Sequence, residues 1–141
     1  MYIDTGLFAK LFVPEPESDR VQAVVSGTSE LVCSELLIVE FSSVLSRKVR
    51  ECALTPEQTA RIRDEFDKLL EAHLIHLLPL DRKILTDSVE LLHDCGAAAP
   101  LRSLDGIHLA SCQQYSVRPL FTMDRVMLRV ADYLGIPVLP L

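Results

Sequence analysis

Tryptophan is absent from the 141 residues, glycine occurs only five times and cysteine four times. The cysteines, Cys33, Cys52, Cys95 and Cys112, stand far apart and form no Cys-x-x-Cys pair. That speaks against a zinc site and leaves reduced, mostly buried thiols as the expectation. No apolar run reaches the ~18 residues of a membrane span. There is no Gly-rich phosphate loop and no Ser/His/Asp order with elbow glycines, so nucleoside-triphosphate chemistry and acyl transfer lack support. Low-complexity runs and internal repeats are missing too. Positive charge is scarce, with 14 Lys and Arg against 20 Asp and Glu and a net charge of -6. A protein that grips nucleic acid through a broad basic surface is therefore not expected, and a polyanionic substrate would need the help of a bound cation. With a core strand starting at residue one, no leader peptide is expected, and the reading is a soluble, cytoplasmic protein.

What is present is a regular alternation of short apolar runs and helical stretches. A chain of this length is expected to fold as one domain over residues 1–141, hiding roughly 68–70% of its unfolded surface. Met1 to Ile3 reads as a strand, and Gly6 to Phe12 as a helix that the prolines at 14 and 16 end. A helix over 18–25 and turn chemistry at 26–29 follow. Leu31 to Cys33 reads as a buried strand, with Ser34 the N-cap of a long helix to about Glu51. Thr55-Pro56 opens a helix to about His73, and Leu74 to Leu78 is a third strand. Leu80-Asp81 leads into a helix ending near Cys95, with Gly96 at the left-handed C′ position. A loop covers 97–102, Ser103 caps a helix reaching Tyr115, and residues 120–122 form a strand. Asp124 opens a helix closed by Gly135 and Pro137, and Val138-Leu139 is the last strand. Continuous rather than alternating apolar strands, separated by helices, indicate a three-layer α/β/α sandwich around a central parallel sheet.

Parallel strands deliver their carboxyl ends to one edge, where open α/β sheets bind ligands. Asp4 follows the first strand and Asp124 the fourth. Asp105 and Glu40, in flanking helices, can reach that edge from either side. Taken singly, Asp4, Asp105 and Asp124 each also suit a helix start, where free N–H groups favour an acid. Glu40 is harder to place on a surface, because Leu36 and Val44 lie one turn away on its own face; left unpaired it is costly, and an ion pair with Arg47 or a base from elsewhere is the bland alternative.

Four carboxylates about 5 Å apart repel by roughly 3 kcal/mol per pair even at an effective dielectric near 20. A hard dication removes that cost. Mg²⁺ or Mn²⁺ prefers oxygen ligands and leaves positions for water and substrate phosphate. Such a site suits hydrolysis of a phosphodiester.

The residues Tyr2-Ile3-Asp4-Thr5, Val39-Glu40-Phe41, Leu101-Arg102-Ser103-Leu104-Asp105-Gly106-Ile107-His108-Leu109-Ala110 and Phe121-Thr122-Met123-Asp124 resemble the motifs of PIN-domain proteins. In size and motif order the chain is similar to the VapC group of toxin ribonucleases from type II toxin-antitoxin pairs. The resemblance covers essentially the whole chain. It implies that Asp4, Glu40, Asp105 and Asp124 form an acidic quartet that binds Mg²⁺ or Mn²⁺ and activates water, with Asp4 and Asp105 as principal metal ligands. Thr5 and Thr122 match the supporting hydroxyls. It further implies endoribonuclease action on RNA, a homodimer, and inhibition by a small antitoxin. Gly106 stands where alanine is more usual, at a cost to helix propensity of about 1 kcal/mol at most.

Arg47, Lys48 and Arg50 form a basic cluster at a helix end, favourable for the helix dipole and equally suited to RNA phosphate. Arg125 and Arg129 are candidates for substrate contacts or surface pairs. His108 is expected to be hydrogen-bonded within the fold, and His73, His76 and His93 show no ligand spacing. Two rivals keep the architecture: a non-catalytic binding module whose acids merely cap helices, and a receiver-type phosphoacceptor. The second expects paired acids after the first strand and a late lysine, whereas this chain has Asp4-Thr5 and no lysine beyond Lys83.

Overall fold

The computed structural model describes residues 1–95 and 99–141. Five strands, β1 (Tyr2–Ile3), β2 (Val32–Ser34), β3 (His76–Leu78), β4 (Leu120–Phe121) and β5 (Val138–Leu139), alternate with helices α1 (Thr5–Ala9), α2 (Ser18–Ser26), α3 (Leu36–Arg50), α4 (Pro56–Glu71), α5 (Arg82–Cys95), α6 (Ser103–Gln114) and α7 (Arg125–Tyr133). All strands pair in parallel in the order β3-β2-β1-β4-β5. The chain therefore builds outward from β1 in one direction through β2 and β3, then crosses back to β4 and β5. The reversal lies between β1 and β4, and in such sheets the crevice at the carboxyl ends of those two strands is where ligands bind.

Successive residues of a strand face opposite sides, and the two cores follow from this. Tyr2, Val32 and Leu120 pack with residues of α5, α6 and α7 on one face. Ile3, Cys33 and Phe121 pack with α1, α2, α3 and α4 on the other. The expected three-layer arrangement is thus present. The central strands β1, β2 and β4 are fully buried, whereas the outer strand β3 exposes His76. Cys33, Cys95 and Cys112 are buried and Cys52 is exposed, all as free thiols. Among the described residues no helix is long and apolar enough to cross a membrane.

Local signals place most boundaries. Thr55 and Gln58 form a reciprocal capping box at α4. Gly135 adopts φ +65° after α7, the left-handed conformation that glycine tolerates. Two capping expectations need correction. Ser34 belongs to β2, and its hydroxyl accepts the Leu36 N–H at 3.3 Å from inside the strand; backbone pairing with β3 holds it there. Ser103 is the first helical residue of α6, and Arg102 occupies the N-cap position without a side-chain cap. The expected C′ role of Gly96 lies outside the described residues, as does the start of the predicted 97–102 loop.

Candidate active site

Tyr2 pairs with Leu120 and Ile3 with Phe121, so the next residues, Asp4 and Thr122, leave the sheet side by side. Asp4 is only 7% exposed. Its Oδ1 accepts the Leu7 N–H at 2.7 Å, capping α1, while Oδ2 accepts the Thr122 hydroxyl. Burial pushes the Asp4 pKa up; the hydrogen bonds from Thr122 and Leu7 and the neighbouring His108 oppose it, Asp124 adds to it, and the result lies above the ordinary value. Asp124 repeats the pattern one strand away. Its Oδ1 caps α7 by accepting the Val126 and Met127 N–H groups at 2.8 and 3.0 Å, which leaves Oδ2 for other contacts. Capping therefore accounts for one oxygen of each acid.

Glu40 comes from α3 in one helix layer and meets α6 from the other layer across the sheet edge. Its Oε2 accepts the Thr5 hydroxyl at 2.5 Å and lies 2.7 Å from His108 Nε2, whose Nδ1 is 2.8 Å from the Tyr2 hydroxyl. Oε1 takes part in neither contact. Burial raises the Tyr2 pKa well above normal, so the phenol keeps its hydrogen. The consistent assignment has Tyr2 O–H donating to Nδ1 and Nε2–H donating to Glu40. Burial alone would raise the Glu40 pKa, but His108, Thr5 and Arg102 outweigh it and hold the carboxyl below its usual range. The partner that makes Glu40 tolerable among apolar neighbours is thus His108, not Arg47. His108 itself is hydrogen-bonded within the fold, as expected.

The Tyr2 contact gives a direct stability test. Tyr2→Phe leaves Nδ1 buried without its donor and is expected to cost about 1–3 kcal/mol, read as a lower urea midpoint with unchanged slope. A midpoint equal to wild type would mean that the hydroxyl does not support the ring.

Arg102 is the residue that sequence reasoning missed. Its Nε donates to Asp105 Oδ2 at 2.7 Å and its Nη2 to Asp124 Oδ2 at 2.8 Å. The i,i+3 spacing to Asp105 was a visible signal; the reach to Asp124, 22 residues away, was not.

These groups surround one cleft of about 800 Å³ at the carboxyl edge of β1 and β4. Asp4, Glu40, Asp105, Asp124 and Thr5 all line it, together with Arg102, His108 and Arg47, while Thr122 lies buried beside Asp4. Of the basic cluster, Lys48 pairs with Glu15, and Arg47, facing the cleft, sits 3.8 Å from Glu51. Arg125 is not among the lining residues, so the sequence expectation of a substrate contact there has no support from position. Carboxylate and hydroxyl oxygens are the donors a hard dication prefers. Yet no three Asp, Glu, His or Cys side chains among the described residues are arranged to hold an ion as they stand, and the Arg102 guanidinium bridges two of the acids.

A profile of the PIN domain matches residues 1–133. The chain belongs to the PIN-domain family. It is 32% identical over 141 residues to ribonuclease VapC46 of Mycobacterium tuberculosis, covering 99% of this chain and 95% of that one. Among solved structures, FitAcB from Neisseria gonorrhoeae superposes with a TM-score of 0.78 at 17% identity, covering 99% of this chain and 96% of the other. A toxin-antitoxin complex from Klebsiella pneumoniae gives 0.61 at 21% identity, with 99% and 95% covered. At such identities the structural likeness speaks to the fold, and it agrees with the PIN assignment. The cleft of this PIN domain is lined by Asp4, Glu40, Asp105 and Asp124, and also by Glu15, which pairs with Lys10 and Lys48.

Proposed function

We propose that this PIN domain is an endoribonuclease dependent on Mg²⁺ or Mn²⁺, acting as the toxin of a toxin-antitoxin pair, with residues 1–141 forming one nuclease unit. The observation that carries the reading is the arrival of Asp4, Glu40, Asp105 and Asp124, from four separate stretches of the chain, in one cleft at the sheet's switch point. The similarity to a VapC ribonuclease supports the reaction class. A bound dication would supply charge neutralisation at the scissile phosphate and a more acidic water. Asp4 and Asp105 would hold it. Glu40 is ionised, and its Oε1, outside both contacts that anchor Oε2, suits it to orient the attacking water and accept its proton. Thr5 fixes the Glu40 carboxylate and Thr122 the Asp4 carboxylate. Arg47, which lines the cleft, would meet RNA phosphate.

A small antitoxin and a second copy of the chain are the proposed partners. The likeness in fold to a chain described in a toxin-antitoxin complex supports the first. The rival reading, a non-catalytic module, draws on the helix caps made by Asp4 and Asp124. Cleavage separates the two. Purified protein is expected to cut single-stranded RNA in Mg²⁺ or Mn²⁺, and chelation with EDTA is expected to lower the rate by on the order of 10³-fold or more, since several kcal/mol of charge stabilisation is withdrawn. Cleavage that survives EDTA and extensive dialysis rules out the metal-dependent mechanism.

A further inference from the structure

Arg102 is a cation already seated between two of the four acids. Its guanidinium donates through Nε to Asp105 and through Nη2 to Asp124, and among the described residues no other Lys or Arg makes a salt bridge to either acid. The planar fork of arginine suits this task, because its donors point in fixed, divergent directions. Its charge also reaches Glu40. The side chain is nonetheless 71% exposed, and exposed ion pairs are weak. It is therefore easily released.

We infer that Arg102 is a built-in latch on the cation site: in the metal-free protein it holds Asp105 and Asp124 together, and it must leave both carboxylates for a divalent ion to be held by Asp4 and Asp105 with Asp124 beside it. The inference rests on the reading of the four acids as a cation site. One charge neutralises only half of the two carboxylates it spans. A dication neutralises both, so exchange is favourable once the ion sheds part of its water. Until then the arginine relieves like-charge repulsion and keeps the two acids, from α6 and from the start of α7, within reach of each other. The latch sets the threshold of ion concentration at which the site loads.

Removing the fork is expected to tighten ion binding about five-fold, the release of two weak exposed contacts. Calorimetric titration of Mn²⁺ into wild type, Arg102→Gln, Arg102→Lys and Arg47→Gln at one ionic strength reads this directly, with circular dichroism confirming the fold. A latch predicts tighter binding in both Arg102 variants, since lysine keeps the charge without the fork, and little change in Arg47→Gln. Equal affinity in all four proteins overturns the latch. So does tightening in Arg102→Gln and Arg47→Gln but not in Arg102→Lys, which is the signature of net charge alone. If none of the four binds Mn²⁺, the cation-site reading itself fails and the latch with it; binding in the Arg102 variants alone supports the latch. As a second readout, the Arg102 Nε–H resonance in ¹⁵N-labelled protein is expected to move as Mg²⁺ saturates the site, and a resonance that stays in place overturns the exchange.

Discussion

Asp4→Asn is expected to lower metal-dependent RNA cleavage by about 10³-fold while making the metal-free protein more stable. Both effects come from the same burial. The carboxylate sits against β4 with both oxygens accepting, one from the Leu7 N–H and one from Thr122. Asparagine caps a helix as well as aspartate does, so Oδ1 keeps the α1 contact, and its amide can donate to the Thr122 oxygen. What is lost is the negative charge. Loss of a partner that merely orients a metal ligand typically costs 10–100-fold, and loss of the ligand itself costs more.

The stability gain follows from linkage. Burial, opposed by Thr122, Leu7 and His108 and reinforced by Asp124, leaves the folded Asp4 pKa above its unfolded value. The folded state therefore holds the proton more tightly than the unfolded chain does. The favourable contribution is complete below the unfolded value, about 3.9, and is lost as pH rises through the folded value. At neutral pH the ionised Asp4 is a standing cost, and asparagine removes it. An increase on the order of 1 kcal/mol, roughly 3 °C in Tm, is expected in EDTA at pH 7. The gap between variant and wild type should widen as pH is raised from about 4. Denaturation at several pH values in EDTA checks this: a variant no more stable at pH 7 contradicts the burial argument, and one that cleaves at the wild-type rate removes Asp4 from the mechanism.

Phe41→Ala is expected to destabilise the fold by about 3–5 kcal/mol, a loss of some 10–15 °C in Tm for a chain of this size. Phe41 is 1% exposed and stands at the centre of an aromatic cluster. Its ring centroid lies 5.4 Å from Phe8, 5.2 Å from Phe12 and 4.8 Å from Phe66. These rings join α1, α3 and α4, and edge-on or tilted contacts of this kind contribute beyond area alone. The cluster also bears on the site, because Phe41 follows Glu40 on α3 and Phe8 lies on the helix that carries Thr5. Truncation should loosen the Thr5–Glu40 contact and lower cleavage at temperatures well below unfolding. Thermal melts and cleavage assays on the same preparation test both effects. A Tm within 3 °C of wild type would mean that the cavity collapses, and that the cluster does not anchor α3.

The sequence by itself determined the layered α/β architecture, the order of strands and helices, and the identity of the acids at the sheet edge. Each of these depends on contacts close in sequence: continuous apolar runs make buried parallel strands, Thr55-Pro56 starts a helix, and a carboxylate directly after a strand must emerge at the strand's carboxyl end. The capping roles of Asp4 and Asp124 were legible for the same reason. Ser34 and Ser103 each stand one position from the N-cap, which Glu35 and Arg102 occupy; pairing with β3 holds Ser34 in the strand against its local capping preference. Tertiary structure alone decided the partners. His108 hydrogen-bonds Glu40 from 68 positions away, Thr122 meets Asp4 through strand register, Arg102 spans Asp105 and Asp124, and Arg47 lines the cleft while Arg125 is not among its lining residues. Charge pairing across the fold depends on distances set by how helices pack over the sheet, and no spacing along the chain encodes those distances.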